Sequence, residues 1–170
     1  MESESARMSS AAEARFRIDY PNSKPRAVKV VALDEASEHV VKEVAARTWQ
    51  GASFFASLKF DGTPRSGENW SIKAWLSDLA GRTKALVEEV KSADLVVMVS
   101  SAGTNAQAAA VIGEACAVRK VMTMALIIGS EQRSNDELSK TLASLRPYAQ
   151  MVVIASGDEY IEEMLAALRA

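Results

Sequence analysis

Five short apolar runs recur along the chain, each followed by a stretch that reads as a helix. They are VKVVAL (28–33), SFFASLKF (53–60), DLVVMV (94–99), VMTMALII (121–128) and QMVVIA (150–155). Apolar runs that lack strict polar alternation are the mark of strands buried on both faces. Such strands demand cover above and below, and the segments between them supply it. EASEHVVKEVAAR (35–47) places Val40, Val41, Val44 and Ala45 on one helical face. In 70–93, residues Ile72, Trp75, Leu76, Leu79, Thr83, Leu86, Val87 and Val90 fall at steps of three and four. That stripe predicts one long amphipathic helix, with a bend at Gly81. NAQAAAVIGEACAVRK (105–120) reads as a further helix, and Gly62, Pro64 and Gly67 mark a loop over 61–69. Ser134-x-x-Glu137 and Ser156-x-x-Glu159 have capping-box spacing, which starts helices near 135–146 and 157–169.

Strand and helix in alternation predict an α/β fold, a three-layer doubly wound Rossmann-like sandwich around a five-stranded parallel sheet. The expected strand order is 2-1-3-4-5, with its switch point between the first and third strands. A ligand crevice is then lined by the loops after Leu33 and after Val99. Residues 27–170 form a single domain on this reading. Residues 1–26 are polar, with Pro21 and Pro25 near their end, and are expected to be a mobile tail with a helical turn over 11–16. An arm that docks on a partner subunit is one use for such a tail.

The chain has 170 residues and a net charge of -2, with acids and bases interleaved, so no basic stripe points to nucleic acid or an anionic membrane. One cysteine, Cys116, and one histidine, His39, leave no disulfide, no cysteine cluster and no expected metal site. No uninterrupted apolar stretch reaches the length of a membrane span, and the first residues carry acids in place of a signal-peptide core. The expected location is cytoplasmic. No cofactor is identified by any motif: the G-x-G-x-x-G and G-x-x-x-x-G-K-[ST] fingerprints are both missing.

The loop SSAGTNA (100–106) carries most of the functional case. Ser100, Ser101, Gly103, Thr104 and Asn105 combine small size, hydroxyls and the amides of a helix start, a combination that suits a small anionic ligand such as a phosphate or nucleotide. The plainer reading makes Ser101 or Thr104 a helix cap and Gly103 a turn residue. Across the crevice, ALDEASEH offers Asp34 and Glu35, which repel a pyrophosphate unless a cation intervenes; their plainer role is to complement a helix N-terminus. His39 lies one turn further on. Cys116 sits among alanines and is expected to be buried and inert. Arg133, in GSEQRSN, is placed to reach an anion at the crevice or to stand in solvent.

From Ala27 onward the chain resembles the nucleotide-binding half of the FtsZ/tubulin family. The resemblance is carried by LVEEVKSADLVVMVSSAGTNAQAAAVIGEACAVRKVMTMALII, by DELSKTLASLRPYAQMVVIASGDEYIEEML, and by the place of VKVVALDEASEHVVKEV. That family's G-G-G-T-G-[ST]-G loop is here SSAGTNA, which keeps Gly103 and Thr104, and its first glycine-rich loop is here LDEASEH. The family's edge strand beyond strand two has no counterpart in the sequence pattern. The resemblance therefore implies the fold and the crevice more than GTP hydrolysis or polymerisation. DLVVMVSSAGTNAQA is also similar to the sugar-isomerase (SIS) domain motif S-x-S-G-x-T, with Ser100, Ser101 and Thr104 at comparable places, which implies a sugar phosphate. Three functions stay open: a binder of a phosphate- or nucleotide-type ligand, a non-catalytic interaction module on a scaffold that has lost its ligand, and a small enzyme using Asp34 or Glu35 as base. A homo-oligomer is compatible with each.

Overall fold

The computed structural model describes residues 25–57, 75–78, 83–104, 106–155, 157 and 159–170, with only the backbone described for 75–78 and 83–84. The expectations for the tail up to residue 24, the loop 61–69, Asn105 and the capping serine Ser156 lie outside these residues. The element order is β1 (Val28–Ala32), α1 (Glu35–Ala45), β2 (Ala52–Ser57), β3 (Trp75–Asp78), β4 (Thr83–Ala85), α2 (Leu86–Lys91), β5 (Leu95–Ser101), α3 (Ala108–Arg119), β6 (Met122–Ile128), α4 (Asn135–Leu145), β7 (Met151–Ile154) and α5 (Glu159–Ala167).

Five of the strands, β2-β1-β5-β6-β7, run parallel in the expected 2-1-3-4-5 order, so the chain is an α/β Rossmann-like sandwich. Alternate residues of these strands face opposite helical layers. Val31, Val96, Met98 and Ile127 pack with Leu86 and Val90 of α2, Ile112 of α3 and Leu145 of α4. On the other face, Val28, Val30, Val97, Val99 and Leu126 pack with Val41 and Val44 of α1 and Ile161 and Leu165 of α5. Each such side chain, fully buried, stabilises the fold by about 1.5–3 kcal/mol before the cost of ordering the chain. Lys29, inside β1, pairs with Glu89 of α2 at 3.1 Å.

The long helix expected over 70–93 does not form. Trp75–Asp78 pairs antiparallel with β2, Thr83–Ala85 pairs antiparallel with β3, and among the described residues of this stretch Leu86–Lys91 alone is helical. Among the described residues the sheet therefore has seven strands, ordered β4-β3-β2-β1-β5-β6-β7. The physical reason lies in the edge of β2, whose outward backbone groups gain hydrogen-bond partners from β3. A glycine at 81 also costs a continuous helix about 1 kcal/mol. The last part of the apolar stripe is helical, with Leu86 and Val90 each 1% exposed.

α3 is apolar nearly all round because it is enclosed nearly all round. Ala108, Ala109, Val111, Ile112, Gly113, Ala115 and Cys116 are all buried. At Gly113 the helix comes so close to the 3-10 turn Arg146–Tyr148 that a Cβ there would lie 2.6 Å from the Cβ of Tyr148.

Candidate functional site: an aspartate seated in the loop after β5

β1 and β5 are adjacent and parallel, with Ala32 level with Val99, so their following loops emerge side by side. Leu33 keeps the two chains together for one more residue, its N–H donating to Val99 O at 2.9 Å. Asp34 then takes an extended conformation as N-cap of α1. Its carboxylate does two things at once.

Toward its own helix, Asp34 Oδ1 accepts from Ser37 N–H at 2.9 Å, while Ser37 Oγ lies 3.1 Å from the Asp34 amide that donates to it. This is a capping box with serine in the third position. Toward the loop after β5, Oδ1 accepts from Ser101 Oγ at 2.8 Å and Oδ2 from Ser101 N–H at 2.8 Å. Ser100 Oγ and Thr104 Oγ1 each stand 3.2 Å from Oδ2 and 3.0 Å from one another. Thr104 Oγ1 has a second acceptor, Ser101 O at 2.7 Å. The hydroxyls and the amide that suit a phosphate thus converge on a carboxylate belonging to the chain itself.

The bonds decide the charge of Asp34. Burial raises its pKa, but the donors Ser101 N–H, Ser37 N–H, Ser101 Oγ and Thr104 Oγ1 lower it, and together they hold it below the usual aspartate value. Asp34 is an ionised acceptor, and a carboxylate held in this way is a weak base.

The remaining candidates are placed as follows. Glu35 is exposed in the first turn of α1. Gly103 has φ +87°, a backbone state that favours glycine, and its N–H donates to Thr141 Oγ1 at 2.9 Å. Neither Ser101 nor Thr104 caps α3, whose first residue position is preceded by Gln107 with no side-chain cap. The plainer sequence reading, helix capping by these hydroxyls, is corrected here: Asp34 offers them a charged acceptor, a stronger partner than a helix-end amide. Arg133 pairs with Glu137 at 3.3 Å. Glu137 in turn accepts from Ser134 N–H at 3.0 Å, completing the expected capping box of α4, and these bonds with Ser134, together with Arg133, lower its pKa. His39 is on the exposed side of α1, 3.4 Å from Glu43. Cys116 is buried, and desolvation pushes its thiol up to about 12, which removes it as a nucleophile. Among the described residues no group of three or more His, Cys, Asp or Glu side chains is arranged to hold a metal.

Thr141 is the residue that sequence reasoning missed. It is fully buried on α4, and its hydroxyl accepts from Gly103 N–H and lies 3.2 Å from both Thr104 O and Glu137 O, either of which takes its proton. A threonine on the inward face of an amphipathic helix, four residues before Leu145, was the available signal.

No helix is long and apolar enough to cross a membrane among the described residues. No protein-family profile matches the chain, and no curated protein sequence matches it. Among solved structures, translation elongation factor SelB from Methanococcus maripaludis is similar in its complex with the GTP analogue GppNHp, with a TM-score of 0.46 and 11% identity over 84% of this chain and 32% of that one. The apo form of the same factor is similar with a TM-score of 0.42 and 10% identity, over 85% of this chain and 34% of that one. The chain spans about a third of the length of SelB, and a likeness of this degree carries no argument about ligand or activity.

Proposed function

We propose that the protein is a non-catalytic interaction module built on a Rossmann-like scaffold, in which the anion seat of the loop after β5 is filled by the chain's own Asp34. The observation that carries this reading is the convergence of Ser101 N–H and Oγ, with Ser100 and Thr104, on one ionised carboxylate. A phosphate entering the same seat would meet that carboxylate at contact distance, a repulsion of about 4 kcal/mol per unit charge at 4 Å in a partly solvated site. It would also have to displace bonds that are already made. The FtsZ/tubulin-like sequence around the loop supports a scaffold of nucleotide-binding type whose phosphate loop has become a structural clasp.

A second reading, a small-molecule binder for a phosphate- or nucleotide-type ligand on Ser100–Thr104, draws support from the position of the loop beside β1 and from Gly103 at φ +87°. A thermal-shift panel of nucleoside di- and triphosphates, sugar phosphates and divalent cations separates the two, because a ligand of the native state alone raises the melting temperature. The module reading expects no shift in the wild-type protein and a new phosphate-dependent stabilisation in Asp34→Ala. A clear upward shift of the wild type with any of the nucleotides or sugar phosphates would establish the second reading instead.

A further inference from the structure

A cavity of about 350 Å³ lies where β6 begins, between α3 and the turn that leads into β7. β6 runs parallel to β1 and β5, so this is the end of the sheet opposite the Asp34 loop. The volume is that of about a dozen waters, at the small end of the range for ligand pockets. Gly113 of α3 and Thr123 of β6 are its buried floor, and Glu114 and Pro147 stand exposed at its mouth.

Two polar groups of this cavity lack the partner that their chemistry asks for. Thr123 is 7% exposed and alternates along β6 with Ala125 and Ile127, which pack in the layer of α3. Its hydroxyl accepts from Gln150 N–H at 3.2 Å, but the hydroxyl proton meets no acceptor among the described residues. A buried donor in that state is uncommon in a folded protein and calls for a bound acceptor. Glu114 is the one charged residue among the described residues that line the cavity, and it makes no ion pair or hydrogen bond among them. Its helical neighbours three and four residues away are Ala110, Val111, Ala117 and Val118, so α3 supplies no counter-charge. The C-terminal end of α3, one turn further on, adds its negative partial charge to the same side. Val121, Pro147 and Ala149 make the rest of the wall largely apolar.

We propose that this cavity binds a small primary amine with an apolar body and an oxygen acceptor, its ammonium paired with Glu114 and its oxygen taking the Thr123 proton. An organic anion is rejected, because the one charge at the site is negative. The site uses none of the Asp34 bonds and goes beyond the preceding reading, since it gives the module a ligand of its own at the far end of the sheet.

The test titrates the full-length protein with tyramine, with phenethylamine, which lacks the phenol oxygen, and with hydroxyphenylacetate, which replaces the ammonium by a carboxylate. Backbone amide resonances are the readout. Tyramine is expected to shift Gly113, Thr123 and Gln150 saturably, with an affinity at least about tenfold above that of hydroxyphenylacetate. Glu114→Gln, at an exposed and unpaired position, should keep the melting temperature and lose about fivefold in tyramine affinity. Thr123→Val keeps the volume, and Gln150 N–H keeps Thr123 O as acceptor, so the variant should fold and bind tyramine no better than phenethylamine. No saturable shift from tyramine at millimolar concentration, which leaves the cavity to water, would overturn the proposal. So would equal binding of amine and carboxylate, a Glu114→Gln variant with unchanged affinity, or a tyramine preference that survives Thr123→Val. Shifts confined to Ser101 and Gly103 would also overturn it, by placing the amine at the other end of the sheet. The phosphate panel reads the Asp34 loop and these amines read Thr123, so either reading can fail alone.

Discussion

Ser101 meets Asp34 twice, its backbone N–H reaching Oδ2 and its hydroxyl reaching Oδ1, both at 2.8 Å and across 67 residues of chain. A carboxylate gripped on both oxygens joins the end of β5 to the start of α1 at the point where the sheet changes direction of winding. The loop is ordered by an internal anion, and this fixes what mutation, pH and ligands should do to it.

Asp34→Ala should destabilise the protein by about 2–4 kcal/mol, since it leaves a partly buried N–H and several hydroxyls without their charged acceptor. Ser101→Ala should cost about 1–2 kcal/mol, because the amide bond to Oδ2 survives. Urea unfolding with the slope held constant measures both, and equal losses would contradict the two-point grip.

The pH dependence follows from the lowered pKa of Asp34. In the unfolded chain an aspartate titrates near about 3.9, and in the fold it titrates lower, so the unfolded state binds the proton first as pH falls. The stabilisation is fully present above the unfolded value and is lost as pH drops through the folded one. The stability gap between wild type and Asp34→Asn should therefore be constant from pH 7 to 5 and shrink below about pH 4. Unfolding curves across that range measure it, and a gap that widened with acid would reverse the assignment.

Thr141→Val keeps the volume and removes the hydroxyl that Gly103 N–H donates to. A loss of about 1–3 kcal/mol is expected from the amide left without a partner, with Thr141→Ser closer to wild type. Faster hydrogen exchange at Gly103 in the valine variant alone would locate the effect.

Gly113→Ala should cost about 1–3 kcal/mol through overpacking, because its Cβ would stand 2.6 Å from Tyr148 Cβ and 3.2 Å from Tyr148 Cα. Gly129, at φ +67° with open space around it, is expected to tolerate asparagine far better. Melting temperatures of the two variants compare a steric cost with a conformational one.

What the chain's own order of residues determined is the parallel sheet and its helical cover. VKVVA, LVVMVSS and MTMALII bury both faces, so β1, β5 and β6 must lie inside a layered fold, and Ser134 with Glu137 caps α4 through a contact three residues long. Such signals are local, and hydrophobic periodicity reads them directly. Tertiary structure decided the rest. Trp75 and Leu76 fit a helical stripe and a strand equally well, and the open edge of β2 chose the strand because its backbone groups needed partners. Asp34 looked like a repulsive neighbour of a phosphate loop. Only when β1 and β5 lie side by side do Ser100, Ser101 and Thr104, 66 to 70 residues away, turn their donors to it. No spacing rule encodes that meeting, because an ionised carboxylate takes its partners from whatever the fold brings within hydrogen-bond reach.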